Sequence, residues 1–144
     1  MEIDPEPADL PQQMLEVLSP LLSLIRTARS ISPGKLGILH TLATEGRASA
    51  ARMSQAIGVS QQAISLTTKE LEGLGLIERH RDEADRRKLW FQLTDDGRQK
   101  LDQEILLGRT ALLQAMGENL SEEDHSLIRS ALPALKKINT AVRP

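Results

Sequence analysis

The chain has no cysteine, no tyrosine, one tryptophan and one phenylalanine in 144 residues. Without cysteine it can form no disulfide framework, no thiol redox switch and no thiolate metal site. No apolar run is long enough to span a bilayer. The acidic, proline-bearing start, MEIDPEPA, lacks the basic-then-apolar order of a signal peptide and is expected to fray. A cytoplasmic location is the expectation. His40, His80 and His125 are far apart, and none has a neighbouring ligand at metal spacing. No glycine-rich phosphate loop occurs, and no nucleophile, base and orienting group fall into a recognisable pattern. The reading is therefore of a chain that is not an enzyme and carries no cofactor or metal. With so few aromatics, any ligand pocket should be mostly aliphatic.

Basic excess is also lacking, since the net charge is −2. That argues at face value against nucleic acid. The charges are unevenly spread, however. Residues 47–100 hold ten Lys/Arg against eight Asp/Glu, giving +2, and the rest hold eight against twelve, giving −4. The middle of the chain is its basic part, and a modest surplus duplicated in a dimer suffices for phosphate contacts.

From Asp9, a plausible cap, Leu10, Met14, Val17, Leu18, Leu21, Leu22 and Ile25 recur at helical spacing. Pro20 should kink this first helix. Ser32-Pro33 restarts a helix that stops near Gly46. Ser49 caps a short helix over 50–57, and after Gly58 Ser60 caps another from Gln61 to about Gly73. Two helices joined by a three-residue turn containing glycine match the helix-turn-helix pattern. In the second of these Ile64, Thr68 and Leu71 share one face, with Leu74 close behind. Gln61, Gln62, Ser65 and Lys69 are left on the other.

Residues 76–81 and 87–93 read as a strand pair, with Leu89, Phe91 and Leu93 alternating against Trp90 and Gln92. Their tip carries Asp82, Glu83, Asp85, Arg86, Arg87 and Lys88, not the Asn-Gly pair of an ordinary hairpin. Trp90 is expected to pack against a neighbouring helix. Thr94 caps a helix running through Leu101, Ile105, Leu106, Leu112, Leu113 and Met116 despite Gly108. Ser121 opens a last helix with Leu127, Ile128, Ala131, Leu132, Leu135 and Ile138, interrupted by Pro133. The fold class is mainly α with a small β-wing, a winged helix-turn-helix enclosed by terminal helices.

This order and these residues resemble the MarR family of bacterial transcription regulators. Asp85-Arg86-Arg87, Leu93-Thr94 and Gly97 match the family's DxR…LTxxG pattern in residues and spacing. Val59-Ser60 through Leu71-Glu72, and Gly75-Leu76-Ile77, fit its recognition helix and the approach to its wing. LSEEDHSLIRSALPALKKI looks like its last dimer helix. The resemblance implies an N-terminal dimerisation helix over 1–31, a DNA-binding lobe over 32–97 and C-terminal dimerisation helices over 98–144. It implies a homodimer on double-stranded DNA with a palindromic operator, most simply a repressor relieved by a small anionic or aromatic ligand.

By the resemblance Arg87 enters the minor groove, where negative potential is concentrated. Asp85 pairs with an arginine to hold it, and Ser60, Gln61, Gln62, Ser65, Lys69 and Arg86 complete the DNA-binding set. Two departures stand out. Leu66 occupies a place where many relatives carry a basic residue, so it either contacts a thymine methyl or packs internally. Thr67 and Thr68 stand where relatives often have aliphatics, which suggests a looser core. Arg26, Arg29 and His40 are conceivable anion partners for a ligand. The alternatives are a winged-helix protein-interaction module without DNA binding, and a metal-responsive regulator.

Overall fold

A computed structural model describes residues 9–142, so the acidic first eight residues and the last two lie outside it. The chain forms α1 (Leu10–Ala28), α2 (Pro33–Glu45), α3 (Ala50–Ile57), α4 (Gln61–Gly73), β1 (Ile77–Arg81), β2 (Leu89–Leu93), α5 (Asp95–Asn119) and α6 (Glu122–Val142). Local chemistry sets the helix starts. The side chains of Asp9, Ser32, Ser49, Ser60 and Thr94 each accept a first-turn backbone amide. Such a cap satisfies a donor that has no partner inside the helix.

Both helices that contain an internal proline run through it. Neither Pro20 in α1 nor Pro133 in α6 ends its helix. Each removes one amide, and the carbonyls left over belong to Glu16 and Arg129, both solvent-exposed. Hydration offsets a loss that would be costly in a buried helix.

The strands pair antiparallel, Ile77 opposite Leu93 and Arg81 opposite Leu89. They are shorter than the sequence pattern suggests, because the tip takes Asp82 to Lys88. Ala48, in the loop before α3, adds a short bridge to Phe91. One apolar core unites Ile38, Leu39, Leu42, Met53, Ile64, Leu71, Ile77, Phe91 and Leu101. It lies inside the lobe formed by α2, α3, α4, the wing and the start of α5. Leu74, which follows the buried row of α4, is exposed at the helix end.

The LTxxG pattern acquires a physical cause here. The Thr94 hydroxyl donates to the Gly75 carbonyl at 2.6 Å and accepts from the Gly97 amide at 3.0 Å. The Thr94 amide donates to Leu76 at 3.1 Å. Thr94 thereby fastens the exit of the wing to its start, and α5 crosses so closely that a Cβ on Gly97 would collide with the Leu76 carbonyl.

On α5 the buried face is Gly97, Leu101, Glu104 and Gly108, and Leu101 alone of the apolar row belongs to it. Ile105, Leu106 and Leu113 are exposed. Gly108 lets α1 approach, and a Cβ there would come within 2.9–3.2 Å of Arg29 and Ile25. Glu104 is fully buried and binds the α1–α2 linker, accepting from the Ser30 hydroxyl and from its amide at 3.0 Å. Lys100 lies 3.1 Å away. Burial pushes this carboxyl up, but the Ser30 hydroxyl, Lys100 and the Ser30 amide outweigh it and hold it below its ordinary value.

Candidate nucleic-acid interface

The recognition helix α4 presents its two faces as its sequence demands. Ile64, Thr68 and Leu71 are buried, while Gln61, Gln62, Ser65 and Lys69 are exposed. Thr68 is 2% exposed, and its hydroxyl donates to the Ser65 carbonyl at 3.0 Å. Thr67 does the same to Ala63 at 2.8 Å. These hydroxyls are satisfied within the helix, so a polar residue on the core face leaves no unpaired group. Ser60 works as the cap, accepting from the Ala63 amide at 3.1 Å.

Leu66 is 63% exposed and lies on the outer side of α4. Of the two readings open for it, internal packing is excluded. A large apolar side chain stands free among the polar residues that would face a duplex.

Between α4, the start of α3 and the wing lies a cleft of about 500 Å³, lined by Ser49, Ala50, Ser65, Arg79, Arg87 and Trp90 among others. It brings Ser65 and Arg87 to one opening. Gln61, Gln62 and Lys69 lie outside it on the helix surface, and Arg86 lines a separate shallow hollow with Arg81, Asp82 and Glu83.

Some cations of the lobe are held in ion pairs and others are not. Lys35, Arg52, Arg79 and Lys100 are engaged with Glu70, Glu45, Glu72 and Glu104 at 2.7–3.1 Å. Among the described residues Lys69, Arg86 and Arg87 enter no ion pair, and all three are exposed. The recognition helix and the wing thus carry unpaired positive charge, as do Arg98 and Arg109 of α5 and Arg129 of α6 among the described residues.

The tip is ordered by two aspartates. The Asp85 carboxylate accepts from the Arg87 amide at 3.1 Å, so it shapes the backbone that carries Arg87. Among the described residues no arginine side chain forms an ion pair with it, unlike the pairing the resemblance implies. Asp82, named above only as one charge of the tip, accepts from the amides of Ala84 and Asp85 and from the Trp90 indole. The indole, then the Ala84 amide, holds the Asp82 carboxyl below its usual range despite some opposing burial. Trp90 is likewise not a helix-packing residue first of all. Its ring lies under the Arg47 guanidinium, 4.7 Å from the centroid. A tryptophan face is the strongest side-chain partner for such a cation.

The three histidines remain apart. Among the described residues no group of three His, Asp or Glu stands where it could hold a metal ion. Nor is any helix among them long and apolar enough to cross a membrane.

A helix-turn-helix with a free polar face, flanked by a two-stranded basic wing, defines a winged-helix protein. Residues 31–89 match the model of the MarR family. It is 27% identical over 113 residues to the HTH-type transcriptional repressor MdtR of Bacillus subtilis, covering 78% of this chain and 72% of MdtR. The fold is similar to wild-type apo MarR from E. coli, with TM-score 0.80 at 19% identity over 90% of this chain and 98% of that one. It is also similar to Bordetella bronchiseptica BpsR, whose DNA binding is regulated by 6-hydroxynicotinic acid. There the TM-score is 0.65 at 18% identity over 88% and 98%. The matched stretch coincides with the winged helix, and the relative MdtR is itself a transcriptional repressor.

Proposed function

We propose that the chain is a homodimeric, sequence-specific repressor that reads a palindromic operator and is released by a small ligand. The observation that carries the DNA reading is the shared exposure of Gln61, Gln62, Ser65 and Lys69 beside Arg86 and Arg87, with the three cations unpaired. In this reading the exposed face of α4 lies in the major groove, where glutamine can bond adenine in a bidentate manner. Ser60 and Lys69 serve the phosphates, Leu66 meets a thymine methyl, and Arg87 enters the minor groove on a tip shaped by Asp85. Gel retardation with DNA from upstream of the chain's own gene tests it. Retardation at low salt that weakens steeply as salt rises is expected, and no retardation at low salt would sink the reading.

Support for the dimer comes from α6, which has no buried residue among those described. Leu127, Ile128, Leu132, Leu135 and Ile138 line one side of it, exposed, and Leu10, Leu15, Val17 and Leu22 of α1 are exposed as well. Most helical stability in proteins comes from packing an apolar face, which a single copy does not do here. Residues 1–31 and 98–144 are thus assigned to dimerisation and 32–97 to DNA.

Of the three conceivable anion partners, Arg26 and His40 are exposed. Arg29 packs on Gly108, and its Nε is buried without a hydrogen-bond partner among the described residues. A buried cationic donor left unsatisfied at the α1–α5 crossing supports an anionic effector there. Such a ligand shifts the operator equilibrium only by its differential affinity for the bound and released spacings of the two lobes. A small aromatic acid that releases the wild-type chain from DNA should fail to release Arg29→Ala; equal release would remove Arg29 from the ligand site.

A further inference from the structure

The tip of the wing is a seven-residue excursion that two backbone bonds alone would hold loosely, Asp82 amide to Lys88 carbonyl at 3.0 Å and Lys88 amide to Asp85 carbonyl at 2.9 Å. A two-stranded ribbon is marginal by itself, and a tip that moves freely loses conformational entropy when it docks. Here a relay of side chains runs from the body of the lobe to the tip. Ala48 pairs with Phe91 through two backbone bonds of 3.1 and 2.9 Å. Its neighbour Arg47 covers the ring of Trp90. The Trp90 indole donates to one carboxylate oxygen of Asp82 at 2.9 Å. The other oxygen accepts from the Ala84 amide at 2.9 Å, with Asp85 at 3.4 Å.

An acid at this place calls for a reason, since it would stand near phosphates in any complex and repel them. We propose that Asp82 and Trp90 form a latch that fastens the tip of the wing to its second strand and, through Arg47, to the loop before α3, so that both are positioning residues for DNA binding. The inference rests on the DNA reading above. Asp82 acts through the tip backbone, and Trp90 acts through Asp82; neither touches the duplex. The latch presents Arg86 and Arg87 already ordered, so that less entropy is lost on binding.

Charge alone and the latch predict opposite signs. If Asp82 were only a solvated surface acid, its removal would tighten DNA binding by relieving repulsion. If it is a latch, its removal weakens binding. The test uses the full chain, a duplex that the wild type selects from a random pool, and the variants Asp82→Ala, Asp82→Asn and Trp90→Phe. Affinity is measured across a salt series, with the emission of Trp90, the sole tryptophan, followed in the free protein.

Asp82→Ala is expected to bind about tenfold more weakly with an unchanged salt slope, since no phosphate contact is lost. Its Trp90 emission should move to longer wavelength as the indole gains water. Asp82→Asn keeps a carbonyl acceptor for the indole and should recover most of the affinity. Trp90→Phe should weaken binding as Asp82→Ala does, and the double variant should add little, as expected of coupled partners. Binding by Asp82→Ala as tight as wild type or tighter would overturn the latch while leaving the DNA reading intact. A wild type that selects no duplex would overturn the DNA reading, and the positioning role with it.

Discussion

Gly97 and Glu104 are single positions on α5 that each answer to a specific close contact. A methyl group at Gly97 would meet the Leu76 carbonyl, which is itself bonded to the Thr94 amide and cannot retreat. Gly97→Ala should therefore cost about 3 kcal/mol, the upper end for overpacking, read by denaturant unfolding. Glu104 makes the stability of the fold depend on acid. Its carboxyl sits below its ordinary value of 4.5 in the folded chain, so the unfolded chain binds more protons as pH falls. The stabilisation is complete above pH 4.5 and is lost as pH drops through the lowered value. Glu104→Gln should cost about 1.5–3 kcal/mol at neutral pH and flatten this acid limb. An unchanged limb would place the acid sensitivity elsewhere. On the DNA-facing side, Arg87→Ala should weaken binding to all sequences alike and reduce the salt slope by about 1. Gln61→Ala or Gln62→Ala should instead cost about 1–3 kcal/mol at one base pair and relax specificity there.

Among the elements, the three helices of the lobe were the most legible. Ser32, Ser49 and Ser60 mark their starts, and Gly46 and Gly58 stand just past the ends of α2 and α3. Local hydrogen bonding fixes those boundaries, so the sequence contains them. The buried face of α5 was harder to read because it consists of Gly97, Leu101, Glu104 and Gly108 and looks polar. Its meaning comes from Ser30, 74 residues away, and from Arg29 crossing at Gly108. A row at 97, 101, 104 and 108 does have helical spacing, and that was the signal available. At the wing, the residues matching the family pattern drew attention to Asp85, whereas Asp82 holds the only tryptophan. No local pattern announces a bond between the end of one strand and the middle of the next. Leu66 gives a test at this scale. Because it is exposed, Leu66→Ala should leave unfolding stability within about 0.5 kcal/mol while lowering affinity for operators with a thymine at the contacted step. A loss of stability would mean that Leu66 packs against the protein after all.

At the scale of the whole molecule, one copy leaves large apolar faces uncovered. Its core occupies the winged-helix lobe, and the apolar faces of α1 and α6, with Ile105, Leu106 and Leu113 of α5, are left in water. A second copy related by a two-fold axis would cover them and set two recognition helices at a fixed separation. Leu132→Asp with Leu135→Asp should then yield monomers in sedimentation velocity, and these should lose operator affinity although the lobe stays folded. The central claim, that two lobes of one dimer read one palindrome, is tested most directly by selecting bound duplexes from a random pool. An inverted repeat is expected, its half-sites centred about one helical turn, or roughly 34–36 Å, apart. Enrichment of a single unrepeated site, or of no sequence at all, would contradict it.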